Sequence, residues 1–127
     1  MKAMLAEINA TAAELAGQPG LANIAAQLKA GAAALENATD WIIANYVDNA
    51  PTVHAGSVPF LWLTGTVTGG WLLAKSAAIA AQRLAAGDAD PYYTAKIATA
   101  EYFATHQLPF AAAYAAEVTG GGASVFA

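Results

Sequence analysis

The residues able to carry chemistry are few and scattered. His54 and His106 are the two histidines. Neither has a histidine or carboxylate three or four residues away, so neither belongs to a two-histidine or Glu-x-x-His metal motif. Each reads as a surface or hydrogen-bonded imidazole. Glu36 and Asp40 stand four apart on one face and read as solvated. Asp88 and Asp90 flank a helix start and read as capping, the usual work of acids at a helix N-terminus. No partner base or apolar pocket can be argued around either pair, so general acid–base catalysis is not implied. Ser57, Ser76 and Ser124 lack the Gly-x-Ser-x-Gly setting of a nucleophile. Gly65-Thr66-Val67-Thr68-Gly69-Gly70 lacks the order of a phosphate-binding fingerprint. The spacing of Gly65 and Gly69 fits close helix crossing instead. The chain has no cysteine, which excludes disulfides and thiol catalysis. The residues alone therefore give no catalytic, cofactor-binding or metal site.

Composition narrows the class. Of 127 residues, 57% are hydrophobic and 11% charged, and 36 are alanine. Such a chain is long enough to bury a core and too apolar to be disordered. Its net charge is −4, and its five Lys and Arg residues are spread out. They form no phosphate-binding stripe, which argues against nucleic acid and against an anionic membrane surface. The start, Met1-Lys2-Ala3-Met4-Leu5-Ala6-Glu7, has no apolar run of a signal peptide, and the expected location is the cytoplasm. From Val58 to Ala74 no residue is charged, but glycines and Pro59 interrupt a run shorter than the about 20 residues a membrane span needs. A buried helix of a soluble bundle is the expectation, and a small membrane protein the weakest alternative.

The elements that would position these residues are all helices. Residues 2–16 read as a short helix with Leu5, Ile8, Ala12 and Leu15 on one stripe. Gly17, Pro19 and Gly20 stop it. Residues 21–49 read as a long helix, with Gly31 set in its apolar stripe where a neighbouring backbone would come close. Residues 50–57 read as a loop. Residues 58–86 read as a third helix with two apolar stripes, one through Val58, Leu61, Trp62, Gly65 and Leu72, the other through Phe60, Leu63, Val67 and Trp71. Asp90 and Pro91 start a fourth helix over 91–118, kinked at Pro109, and 119–127 read as a loose tail. The expected architecture is a single all-α domain, an up-and-down bundle of four helices, one short and three long. A helix apolar on so many sides needs cover, so Phe60, Trp62, Leu63, Val67 and Trp71 are the candidate interface.

Three blocks, taken in order, resemble the C-terminal helical domain of large bacterial acyl-CoA dehydrogenases, the branch of the 3-methylmercaptopropionyl-CoA dehydrogenase type. They are Ala38-Thr39-Asp40-Trp41, the run from Val58-Pro59-Phe60-Leu61 through Gly69-Gly70-Trp71 to Lys75, and the run from Tyr92-Tyr93-Thr94-Ala95-Lys96 to Leu108-Pro109. Phe60 stands where the family has tyrosine, and residues 1–34 agree in pattern more than in words. The resemblance implies a parent enzyme that binds FAD and oxidises an acyl-CoA thioester to the 2-enoyl-CoA. There a glutamate removes the α-proton and hydride passes to the flavin. It places those parts in a body preceding this domain, and none maps onto a residue here. The chain then looks like a detached domain with Met1 supplied as a start, non-catalytic and without a cofactor of its own. It would pack against the catalytic body and serve oligomerisation. A stand-alone helical interaction module is the alternative from another class.

Overall fold

Leu5, Ile8, Ala12 and Leu15 recur at helical spacing and turn to one side of α1 (Lys2–Ala16), where all four are buried. That stripe lies along α2 (Ala22–Asn45), whose Ile24, Leu28, Leu35 and Ala38 are buried in turn. Four further helices follow in the computed structural model, which describes residues 1–127: α3 (Ala50–Ala55), α4 (Ser57–Ala85), α5 (Pro91–His106) and α6 (Phe110–Thr119). No strand interrupts them, and the fold is all-α. The core draws on every helix but α3 and is built of Leu, Ile, Val and many alanines, whose short side chains let helix axes approach. α4 runs through the middle of the packing and touches α1, α2, α5 and α6.

There are six helices where the sequence predicts four, and each extra one has a local cause. The α2 helix ends at Asn45, not at 49. The expected loop at 50–57 contains α3, which begins after Asn49, holds Pro51 in its first turn and buries Val53. The expected fourth helix is broken, not kinked. Pro109 has no N–H, and its ring clashes with the carbonyl four residues back. The Leu108 N–H reaches Phe103 O at 3.0 Å, and a fresh helix starts at Phe110. The break drops Leu108 into the core at 2% exposure. There it lies over Gly31 and Gly70. A methyl group built on Gly70 would stand 2.7 Å from Leu108 Cδ2, and one on Gly31 would stand 3.3 Å from the same atom. Gly31 does mark a close approach, by the side chains of Leu108 and Val67. The tail beyond Thr119 makes one turn, in which the N–H groups of Val125 and Phe126 donate to Gly122 O at 2.9 and 3.0 Å.

Two polar links tie helices together. The Trp71 Nε1–H donates to Thr11 Oγ1 at 2.9 Å and joins α4 to α1. The Asn23 amide donates to Glu101 Oε1 and to Thr105 Oγ1, joining α2 to α5.

Candidate docking surface on α4

The side chains singled out for chemistry stay apart. His54 is exposed on α3 and meets the Tyr46 ring edge-on at 6.2 Å. His106 is exposed at the end of α5, its ring 4.4 Å from that of Tyr102. Glu36 and Asp40 face solvent, and Asp40 stands 4.0 Å from the ammonium of Lys2, which is also exposed. Asp90 caps α5 by accepting from the Tyr92 N–H at 2.9 Å, and Asp88 accepts from the Asp90 N–H. The Ser57 and Ser76 hydroxyls donate to backbone carbonyls of His54 and Leu72. No group of three or more His, Asp or Glu side chains could hold a metal ion. No helix is long and apolar enough to cross a membrane.

What the structure does assemble is an apolar surface, and it lies on a different side of α4 from the one the sequence favours. Leu63 and Val67 have no exposed area and belong to the core. Phe60 and Trp71 are half-buried and pack against that core. Of the five candidate interface residues, only Trp62 is exposed, with its ring 5.8 Å from that of Tyr114 on α6. From the other stripe Val58 is 54% exposed, Leu61 68% and Leu72 55%, and Ile79, on neither predicted stripe, is 56% exposed beside them. These four lie within one face of the helix, since steps of three, eleven and seven residues each come near whole turns. Gly65 is on the same face, and nothing in the chain comes within 4 Å of where its Cβ would be. Its expected companion Gly69 faces elsewhere, against the Phe103 ring of α5 at 3.4 Å. Around Gly65 lies a notch of about 460 Å³ lined by Leu61, Trp62, Thr66 and Tyr114.

Lys75, exposed between Leu72 and Ile79, holds its ammonium over the Trp71 ring, 4.8 Å from the centroid. Sequence reasoning had both stripes in hand. The signal that could have chosen between them was the pairing of Val67 with Gly31, which fixes the inner side of α4.

A second apolar hollow, of about 590 Å³, runs between α1 and α2 and is lined mainly by alanines, with Asn9 and Lys29 at its rim.

A family model described as acetyl-CoA dehydrogenase C-terminal like matches residues 4–127. The 3-methylmercaptopropionyl-CoA dehydrogenase of Ruegeria pomeroyi is 38% identical over 119 residues, 93% of this chain and 20% of that protein. The broad-specificity linear acyl-CoA dehydrogenase FadE5 of Mycobacterium tuberculosis is 43% identical over 60 residues, 45% of this chain and 10% of that protein. The chain thus spans a fifth or less of the length of these relatives.

Proposed function

The chain belongs to the acetyl-CoA dehydrogenase C-terminal-like family, and from that premise we propose that it is a non-catalytic helical domain of a flavin-dependent acyl-CoA dehydrogenase. Its work is to pack against the catalytic body and to hold the assembly together. The body binds FAD and carries out α,β-dehydrogenation of an acyl-CoA thioester, and this domain contributes no group to that reaction. The architecture is read as a bundle of four units, α1, α2, α4 and the broken pair α5–α6, in up-and-down order. The enzyme works in the cytoplasm.

One observation carries the reading. The family match runs over nearly the whole chain, and within it α4 exposes the large apolar side chains of Val58, Leu61, Trp62 and Leu72. Exposed apolar area of this extent on a soluble protein marks an interaction surface.

An antibody against the chain, applied to an extract of the source cells, tests the proposal. The expected result is a band several times larger than 12.8 kDa that co-purifies with flavin and with acyl-CoA dehydrogenase activity. A 12.8 kDa band that co-purifies with no flavoprotein refutes it.

A further inference from the structure

We propose that the notch around Gly65, between α4 and α6, receives the guanidinium of an arginine side chain presented by the catalytic body. The inference rests on the proposed packing role and names the chemistry of one contact in it.

The notch has two aromatic walls set at an angle. The Trp62 ring on α4 and the Tyr114 ring on α6 stand 5.8 Å apart with 57° between their planes. The Phe110 ring, one turn back on α6, packs beside Tyr114 at 6.3 Å with 26° between the planes. Trp62 stays half exposed in spite of its contact, so ring area remains for an incoming group. Gly65 keeps that area open. Residues three apart on a helix are neighbours, so a side chain at position 65 would stand beside Trp62 and enter the notch. Glycine inside a helix costs stability. Gly69 and Gly70 make room for Phe103 and Leu108, whereas nothing in the chain comes within 4 Å at Gly65. The room there serves a group from outside.

Charge and hydrogen bonding choose the occupant. Residues 57–74 of α4 carry no charge, and Glu117, three residues after Tyr114, is the one charged residue of α6. The chain's net charge is −4. No cation on these segments opposes a positive group, and a carboxylate one turn along α6 attracts it. The Thr66 hydroxyl in the notch makes no hydrogen bond within the chain, unlike that of Thr64, which donates to Phe60 O at 2.9 Å. The Thr66 and Tyr114 oxygens are both free to accept. Arginine brings five donors, no acceptor and a planar cation that stacks on aromatic faces. An apolar side chain would leave both oxygens without a donor. The chain treats its own ammonium groups in the same way: Lys75 lies 4.8 Å from the centre of the Trp71 ring and Lys96 lies 5.6 Å from that of Tyr92. Trp62 has no such partner within the chain. The matched stretch is a fifth or less of each relative, so proteins of this kind have a larger surface beyond the domain to present the arginine.

Nuclear magnetic resonance titration of the full chain with N-acetylarginine amide tests the contact, with N-acetylcitrulline amide as the uncharged counterpart at constant ionic strength. The three tryptophans give three separate indole reporters. The arginine probe should shift the Trp62 and Gly65 signals saturably, with a dissociation constant of about 10–100 mM, as suits one exposed cation–π contact. The citrulline probe should bind at least about threefold more weakly. Trp62→Leu, and Gly65→Leu placed in open space, should each abolish the shifts while circular dichroism shows the fold retained. No saturable shift of Trp62 overturns the proposal. So does equal binding of the two probes, and so does tighter binding of N-acetylleucine amide, which assigns the notch to an apolar side chain. If the arginine probe binds but the chain co-purifies with no flavoprotein, the catalytic body falls as the source of the arginine. If the probe fails and the flavoprotein is found, the notch alone falls.

Discussion

Replacing Gly70 and Gly65 by alanine in turn should move stability in opposite directions, although both sit inside the same helix. Each change removes glycine from a helix interior, which by itself stabilises by about 1 kcal/mol. At Gly65 nothing stands within 4 Å of the new methyl group, so the gain should appear whole. At Gly70 the methyl would lie 2.7 Å from Leu108 Cδ2 and 3.0 Å from both Cδ1 and Cγ. Leu108 has little room to yield, because it is 2% exposed and packed in the core. Overpacking costs about 1–3 kcal/mol, and three contacts of 3.0 Å or less put this case in the upper part of that range, about 2–3 kcal/mol, which exceeds the helical gain. Gly70→Ala should thus lose about 1–2 kcal/mol net, a fall of about 3–10 °C in melting temperature for a chain this size, and Gly65→Ala should rise by about 3–5 °C. Thermal and urea unfolding followed by circular dichroism, at a concentration where the chain is monomeric, give both numbers. Leu108→Ala alone should cost about 2–5 kcal/mol, and much less when combined with Gly70→Ala, since the added methyl then fills space the leucine leaves. A Gly70→Ala protein as stable as the parent, or a strictly additive double variant, refutes the packing argument.

Trp71→Phe removes the indole N–H that donates to Thr11 Oγ1 and should cost about 0.5–1.5 kcal/mol, with Thr11→Val non-additive with it in a double-mutant cycle by urea unfolding. Asp90→Ala removes the cap on the Tyr92 N–H and should cost about 1 kcal/mol, read as a lower urea midpoint at unchanged slope. Trp62→Ala should change the melting temperature little, because the ring is 52% exposed, yet it should weaken binding of a hydrophobic dye to the notch it lines.

The extent of each helix was legible wherever a single local signal decided it. The Leu5, Ile8, Ala12, Leu15 spacing needs no tertiary knowledge, and Asp90-Pro91 starts a helix by its own chemistry. Pro109 announced a disturbance but not its size. A kink keeps Leu108 on the helix surface, whereas a break lets it enter the core, and the break wins because Gly31 and Gly70 leave a socket that leucine fills. That socket is made by residues far apart in sequence, so no local pattern shows it. The short α3 was hidden for the opposite reason: Pro51 and Gly56 look like loop punctuation, and only burial of Val53 turns them into the ends of a helical turn. The candidate surface was half legible. That α4 carries more apolar area than one bundle can cover follows from its two stripes, but which stripe goes inward depends on Val67 meeting Gly31 across the core.

The small residues of α4 make a single argument out of fold and surface. A glycine inside a helix persists against its conformational cost only where a side chain would obstruct something. Gly70 leaves room for Leu108, and Gly69 leaves room for the Phe103 ring. Both are explained by contacts within the chain, and both fall on the half of the helix turned toward α5 and the break after it. Gly65, one turn before Gly69, falls between the exposed Leu61 and Leu72 and is explained by no contact within the chain. Its alanine variant therefore meets no obstruction within the chain and should keep the whole helical gain of about 1 kcal/mol, and a Gly65→Ala chain no more stable than the parent refutes that reading.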